Sequence, residues 1–144
     1  MSEAARFPVF PTITRRAAVA LSAVASMGAA GIHAWVVPEH LREYWLFGAF
    51  FIAVSIGQLI WAAAVTRWPN RASFLVGAAG SALLIALWLV SRTFGLPLGP
   101  EHWEPEPTGV LDGTCVLLEL ALTAMAVLAL RDRRDSSPAG SSPW

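Results

Sequence analysis

Four long apolar stretches dominate this chain and restrict what it can fold into. They cover residues 17–37, 44–65, 72–90 and 110–130. Each is close to the ~20 residues that a helix needs to cross ~30 Å of hydrocarbon. A membrane barrel would need at least eight strands of alternating polarity, roughly twice the number of apolar stretches here. The pattern therefore predicts an all-α, four-helix transmembrane bundle in contact with a lipid bilayer.

Charge content agrees with lipid as the solvent. Charged residues make up 14% of the chain, whereas a soluble domain has about 25%. Lys plus Arg and Asp plus Glu are equal at 10 each, so nothing indicates a nucleic-acid partner. We expect one membrane domain over residues 15–134. Residues 1–14 and 135–144 lie outside the apolar stretches, and the second of these segments is rich in Ser, Pro and Gly, so we expect both to be disordered and cytoplasmic.

The connections between the stretches differ in length. Residues 38–43 and 67–71 form short loops, and Pro69 blocks helix continuation in the second of them. Residues 92–109 form a long connection between the third and fourth helices. This connection contains four prolines and three glycines, which favour irregular structure.

Arginine distribution predicts the orientation. With four spans both termini share one side, and that side holds eight of the ten arginines, whereas the other side holds Arg42 and Arg92. The positive-inside bias then places both termini in the cytoplasm of a multi-pass membrane protein. The eight are Arg6, Arg15, Arg16, Arg67, Arg71, Arg131, Arg133 and Arg134.

The first apolar stretch has a second interpretation. Arg15 and Arg16 followed by residues 17–30 resemble a signal peptide, with Ile32-His33-Ala34 as its cleavage site. Cleavage there would leave three spans and an N-terminus outside. The apolar run is longer than a usual signal core, which favours a retained span.

Small residues recur at every fourth position and indicate close helix contacts. We expect these stripes to face inward, and a dimer face on the third helix is the alternative. The stripes are Ala18, Ser22, Ser26 and Ala30 in the first span, Ala49, Ala53 and Gly57 in the second, and Ser73, Gly77 and Ser81 in the third.

The predicted outer face combines acidic residues with all three histidines. Imidazole and carboxylate groups are common ligands of transition metals. One hypothesis is therefore a divalent metal site built from His33, His40, His102, Glu39 and Glu43. The alternative is that these are interfacial or solvated polar residues, because no His-x-x-x-His pair lies on one helix.

Glu119 is an acid inside the fourth span. It shares a helix face with Asp112 and Cys115 and lies about 10 Å below Asp112. An intramembrane carboxyl is costly and by default suggests a functional site. Two interpretations remain open: a proton or cation site, or a neutral carboxyl that hydrogen-bonds across helices. The candidate partners are His33, Arg92, Gln58 and Ser55.

Residues 86–100 (ALWLVSRTFGLPLGP) and 104–112 (EPEPTGVLD) are similar to a stretch of small, uncharacterised four-helix membrane proteins of actinobacteria. The resemblance covers about 86–119. It implies a four-helix, multi-pass protein of a bacterial plasma membrane with an acidic residue at Glu119, and it marks Arg92, Glu106, Asp112 and Glu119 as important without assigning chemistry to them. It implies no activity.

The sequence favours a non-enzymatic binding or transport module for a cation or small ligand. A transport module would act as a homo-oligomer. The alternative function is an accessory subunit of a larger membrane complex. A metal-dependent enzyme ranks last, because the chain has no phosphate loop, no His-Glu-x-x-His and no nucleophile motif.

Overall fold

The computed structural model describes residues 14–135, with side chains up to Arg131. The segments predicted to be disordered, 1–14 and 135–144, lie outside the described residues except for Thr14 and Asp135. The described chain is all-helical with four helices, as predicted, and all four are long and apolar enough to cross a membrane. They are α1 (Arg15–Glu43), α2 (Trp45–Arg67), α3 (Arg71–Thr93) and α4 (Val110–Asp135).

Helix α1 is longer than predicted. Residues 38–43 are its last turns rather than a loop, and only Tyr44 separates α1 from α2. Pro38 lacks an N–H, so the helix loses one backbone hydrogen bond at that point, but its φ is compatible with a helix. His40 and Arg42 lie in the last turn, where positive charge is favourable near the helix C-terminus. The consequence is that His33 lies deeper in the bundle than the sequence indicated.

The helices pack in the order α2–α1–α4–α3. Helix α1 contacts both α2 and α4, and α4 contacts α3. Helices α2 and α3 follow each other in sequence but touch only weakly. At their seam, Trp61 donates a hydrogen bond from Nε1 to the carbonyl of Ser73 at 2.9 Å and lies against Gly77.

The small-residue stripes follow the prediction on α1 and α3 but not on α2. The α1 stripe is buried, as are Gly77 and Ser81 on α3, so these residues are not free to form a dimer face. The predicted stripe on α2 is exposed instead. Helix α2 turns Ser55 and Gln58 toward α1, because these polar groups need hydrogen-bond partners in an apolar environment.

An apolar core fills the end of the bundle that carries the chain termini. It combines the start of α1, the end of α2, the start of α3 and the end of α4. Phe74 and Val65 are its largest fully buried side chains. The core residues are Ala18, Ala23, Ala62, Val65, Phe74, Ala126 and Ala129. The buried polar residues His33, Ser91 and Glu119 lie outside this core, nearer the opposite end of the bundle.

Residues 94–109, called the outer loop below, fold back over the other end of the bundle. Gly95 adopts a φ of 72°, and a Cβ at this position would lie 2.5 Å from the backbone of Glu104. The backbone N–H of Glu106 donates to the carbonyl of Ser91 at 3.0 Å. A Cβ at Gly99 would lie 2.9 Å from the ring of Phe47. The outer loop therefore rests on the end of α3 and on the start of α2.

Candidate functional site: a polar centre inside the bundle

Each of the four helices contributes at least one polar side chain to a single cluster inside the bundle. We call this group the polar centre. Helix α1 contributes His33, α2 Gln58, α3 Ser81, and α4 both Cys115 and Glu119. Because three of the helices meet at Glu119, the site exists only in the assembled bundle.

The polar centre lies well inside the helices rather than at their ends. His33 is ten residues from the end of α1, which corresponds to about 15 Å along the helix axis. Glu119 is nine residues from the start of α4, or about 14 Å. Ser81 is twelve residues from the end of α3, or about 18 Å. His33 and Glu119 therefore lie in the half of the bundle nearer the outer loop, whereas Ser81 lies close to the middle of α3.

A directed chain of hydrogen bonds connects the polar centre. His33 donates from Nδ1 to Oε1 of Gln58 at 2.9 Å, since a carbonyl oxygen can only accept. Gln58 donates in turn from Nε2 to Oε1 of Glu119. The two contacts fix the orientation of the Gln58 amide, with its oxygen toward the imidazole and its nitrogen toward the carboxyl group.

Ser81 and Cys115 lie at the two ends of this chain of hydrogen bonds. Ser81 donates its hydroxyl to Oε2 of Glu119, so both carboxyl oxygens accept a hydrogen bond. With Nδ1 protonated, Nε2 of the neutral His33 ring carries a lone pair. Sγ of Cys115 lies 3.3 Å from this Nε2. The imidazole is therefore held in one tautomer, with its free nitrogen facing the thiol.

The polar centre is almost completely shielded. Glu119 is 2% exposed, Ser81 3%, and His33 and Cys115 8% each. All groups in hydrogen-bond contact with the Glu119 carboxyl are neutral donors. A buried carboxylate normally needs a cationic partner or a metal. No arginine supplies that partner among the residues with described side chains, so an ionised Glu119 would have no protein counter-charge here.

Three potential metal ligands converge in the polar centre. One ligand atom each from His33, Cys115 and Glu119 lies within 4.8 Å of the other two, and all three residues are buried. Within the described part of the chain, the five residues proposed from the sequence do not form such a group. His33 belongs to the buried cluster, whereas His40, His102, Glu39 and Glu43 do not.

These four residues lie nearer than the polar centre to the end of the bundle that the outer loop covers. His40 pairs with Glu43 through Nδ1 and Oε2 at 3.0 Å and stacks on Phe51 with ring centroids 4.5 Å apart. Glu39 is exposed on α1, and His102 is exposed in the outer loop. Phe51 also contacts His33, with centroids 5.5 Å apart, and thus separates the two imidazoles.

A second charged group, which we call the loop clamp, joins Arg92 to Glu106 and Asp112. The Arg92 guanidinium contacts the Glu106 carboxyl and lies 3.0 Å from Oδ2 of Asp112. The same Asp112 oxygen accepts from the backbone N–H of Gly109 at 2.8 Å. The clamp ties the end of α3, the outer loop and the start of α4 together. Three of the four residues marked by the resemblance thus meet here, and Glu119 does not join them.

The contacts of Glu119 were partly foreseen. The predicted contact with Gln58 is present, but Ser55 donates to the carbonyl of Ala30 and Arg92 belongs to the loop clamp. Ser81 was missed because the sequence interpretation treated it only as a small residue that permits close contact. Its hydroxyl, at a depth similar to that of Glu119, was the signal that could have identified it.

The geometry defines a four-helix bundle, compatible with an integral membrane protein, that encloses a buried His/Cys/Glu group. Comparison with known proteins adds no relative: no protein-family model, no curated protein and no solved structure matches the chain. The proposals below therefore rest on the geometry of the chain itself.

Proposed function

We propose that the chain is a multi-pass protein of a bacterial plasma membrane that binds a cation in its polar centre. The observation that carries this proposal is the convergence of His33, Cys115 and Glu119 inside a bundle of apolar helices. The role is binding, as in sensing, handover or transport, rather than catalysis.

Electrostatics supports a cation over a neutral ligand. Removing a carboxylate from water costs several kcal/mol by order of magnitude, and neutral hydrogen-bond donors return only part of that cost. Arg92, which the sequence offered as a partner of Glu119, pairs instead with the two acids of the loop clamp. A cation bound beside Glu119 would supply the missing counter-charge.

The direction of access follows from the proposed orientation. With both termini in the cytoplasm, the helix ends nearer to His33 and Glu119 face outward. The outer loop carries Glu101, Glu104 and Glu106, and an acidic surface raises the local concentration of cations. We therefore expect the ion to arrive from outside.

Metal counting on detergent-purified protein tests this function. The purified chain is dialysed against single chlorides of Zn²⁺, Mn²⁺, Ca²⁺ or Mg²⁺, and bound metal is measured by mass spectrometry. We expect one ion per chain for at least one of these metals, and a reduction of about tenfold or more in affinity for Glu119→Gln. Glu104→Gln is the matched control, since Glu104 is an exposed acid of the outer loop.

Two results would contradict the proposal. One is a wild-type chain that retains none of the four metals after dialysis. The other is equal retention by the wild type and by Glu119→Gln. If Glu43→Gln abolished binding while Glu119→Gln did not, the ion would bind at the helix ends, as first predicted from the sequence, and the polar centre would lose its role.

A further inference from the structure

The three converging residues offer three different ligand atoms. They are an imidazole nitrogen on His33, a thiol sulfur on Cys115 and a carboxyl oxygen on Glu119. Mg²⁺ and Ca²⁺ select sites made almost entirely of oxygen and take six to eight ligands. Mixed nitrogen, sulfur and oxygen donors instead suit Zn²⁺ and its neighbours among the divalent transition metals.

We propose that the polar centre binds a divalent metal of the Zn²⁺ class through His33 Nε2, Cys115 Sγ and one oxygen of Glu119. Gln58 is the residue that positions two of these ligands. This inference rests on the proposed function, namely that the polar centre binds a cation, and adds the class of cation and the role of Gln58.

Distances in the chain are close to those of a tetrahedral zinc site. Zn–S of ~2.3 Å and Zn–N or Zn–O of ~2.0–2.2 Å place neighbouring ligand atoms about 3.3–3.7 Å apart. Cys115 Sγ and His33 Nε2 are already 3.3 Å apart. No pair of the three ligand atoms exceeds 4.8 Å. Closure of the site therefore requires side-chain shifts of about 1 Å, without a change in the bundle.

The net charge of the site favours a divalent ion. Metal binding would release the thiol proton of Cys115 to solvent. The resulting thiolate and the carboxylate together carry two negative charges, which two positive charges cancel. In a low-dielectric interior an uncompensated charge is expensive, so a neutral complex is preferred over one with a monovalent or trivalent ion. Borderline-soft divalent metals satisfy both the ligand types and the charge.

Gln58 arranges the ligands before the metal binds. It accepts from Nδ1 of His33, which leaves Nε2 free to face the site, and it donates to one oxygen of Glu119. Metal-binding histidines usually donate their second N–H to such a partner, and loss of that partner typically weakens metal binding by about 10–100-fold. Gln58 is this hydrogen-bond partner of His33, and it also orients Glu119.

The site has three protein ligands and one open position. Structural zinc sites are closed by four protein ligands, whereas sites with three keep a position for water or an incoming group. An open position permits ligand exchange at the metal. This feature fits the handover or transport of an ion better than a purely structural role.

Cobalt substitution tests the ligand set directly. Co²⁺ is titrated into the full-length protein in detergent micelles, and the absorption spectrum is recorded. We expect a thiolate-to-cobalt charge-transfer band together with visible d–d bands of four-coordinate strength. Cys115→Ser should lose the charge-transfer band, and Zn²⁺ but not Mg²⁺ or Ca²⁺ should displace the cobalt.

Gln58→Leu tests the positioning role. We expect its Zn²⁺ affinity to fall by about 10–100-fold, with altered d–d bands, which report the geometry around the metal. Ser55→Ala is the matched control, because Ser55 is also a polar α2 residue bonded to α1, through the carbonyl of Ala30. Its affinity and spectrum should match those of the wild type, and circular dichroism verifies that both variants fold.

The outcomes separate this inference from the proposed function. Binding of Mg²⁺ or Ca²⁺ with no thiolate band would overturn the transition-metal site while the cation-binding function stands. Equal spectra and affinities for Gln58→Leu and Ser55→Ala would overturn the role of Gln58. A Cys115→Ser variant that binds Zn²⁺ as tightly as the wild type would show that the three ligands are not those proposed.

Discussion

The contact of Gly77 with Trp61 determines how α2 and α3 are held together. A Cβ at residue 77 would lie 2.2 Å from Cζ2 and 2.5 Å from Cε2 of the indole ring. The ring is rigid, and its Nε1 is fixed by the hydrogen bond to the Ser73 carbonyl at 2.9 Å. In Gly77→Ala the ring must move, and the hydrogen bond must lengthen or break.

The expected loss follows from these two contacts. Overpacking of this kind costs about 1–3 kcal/mol, and a lost hydrogen bond costs about 0.5–1.5 kcal/mol more. Alanine recovers about 1 kcal/mol over glycine in a helix interior. The free energy of unfolding should therefore fall by about 0.5–3.5 kcal/mol. Gly80→Ala is the control on the same helix, since a Cβ at Gly80 has no neighbouring atom within 4 Å.

Reversible unfolding in mixed dodecyl maltoside and SDS micelles measures the difference. Helix content is followed by circular dichroism as the SDS fraction rises. We expect Gly77→Ala to unfold at a lower SDS fraction than the wild type, and Gly80→Ala at the same or a higher fraction. Identical midpoints for the two variants would refute the idea that Trp61 and Gly77 hold this seam.

Three further predictions concern the outer end and the thiol. Arg92→Gln should release the outer loop, measured as faster amide hydrogen exchange there, whereas Arg42→Gln should not, because Arg42 is exposed and makes no ion pair with described residues. A cysteine at His102 should react with an impermeant maleimide added to intact cells, and one at Trp68 should not; the reverse would contradict the proposed orientation. The thiol of Cys115, 8% exposed, should resist alkylation in the folded chain and react in SDS; rapid alkylation without SDS would contradict its burial.

The number and type of helices were predictable because the thickness of a bilayer strongly constrains the length of an apolar helix. Four apolar stretches of about 20 residues leave little choice of architecture. The end of α1 was not predictable in the same way. Pro38 usually stops a helix in water, yet here the helix continues through it to Glu43. Sequence patterns record the local preference of proline but not the contacts that outweigh it.

The polar centre was only partly predictable, because sequence spacing orders residues on one helix and not between helices. Asp112, Cys115 and Glu119 were correctly placed on one face of α4, but the face includes Asp112 of the loop clamp as well as two members of the polar centre. The approach of His33 to Cys115 depends on α1 packing against α4, which no local pattern reveals. A comparison of how far each polar residue lies from the end of its helix would have indicated more of the members of the polar centre.

The loop clamp and the polar centre differ in whether a cationic side chain pairs with their acidic residues. Arg92 lies at the end of α3, where a guanidinium can reach acids at the boundary without full burial, and it pairs with Glu106 and Asp112. Glu119 lies two turns deeper than Asp112 on α4, beyond that pairing, and meets only the neutral donors of Gln58 and Ser81. Neutral donors orient a carboxyl group without cancelling its charge. An arginine at this depth would have paired with Glu119, so the separation of the loop clamp from the polar centre is what leaves this carboxyl with neutral partners alone among the described side chains.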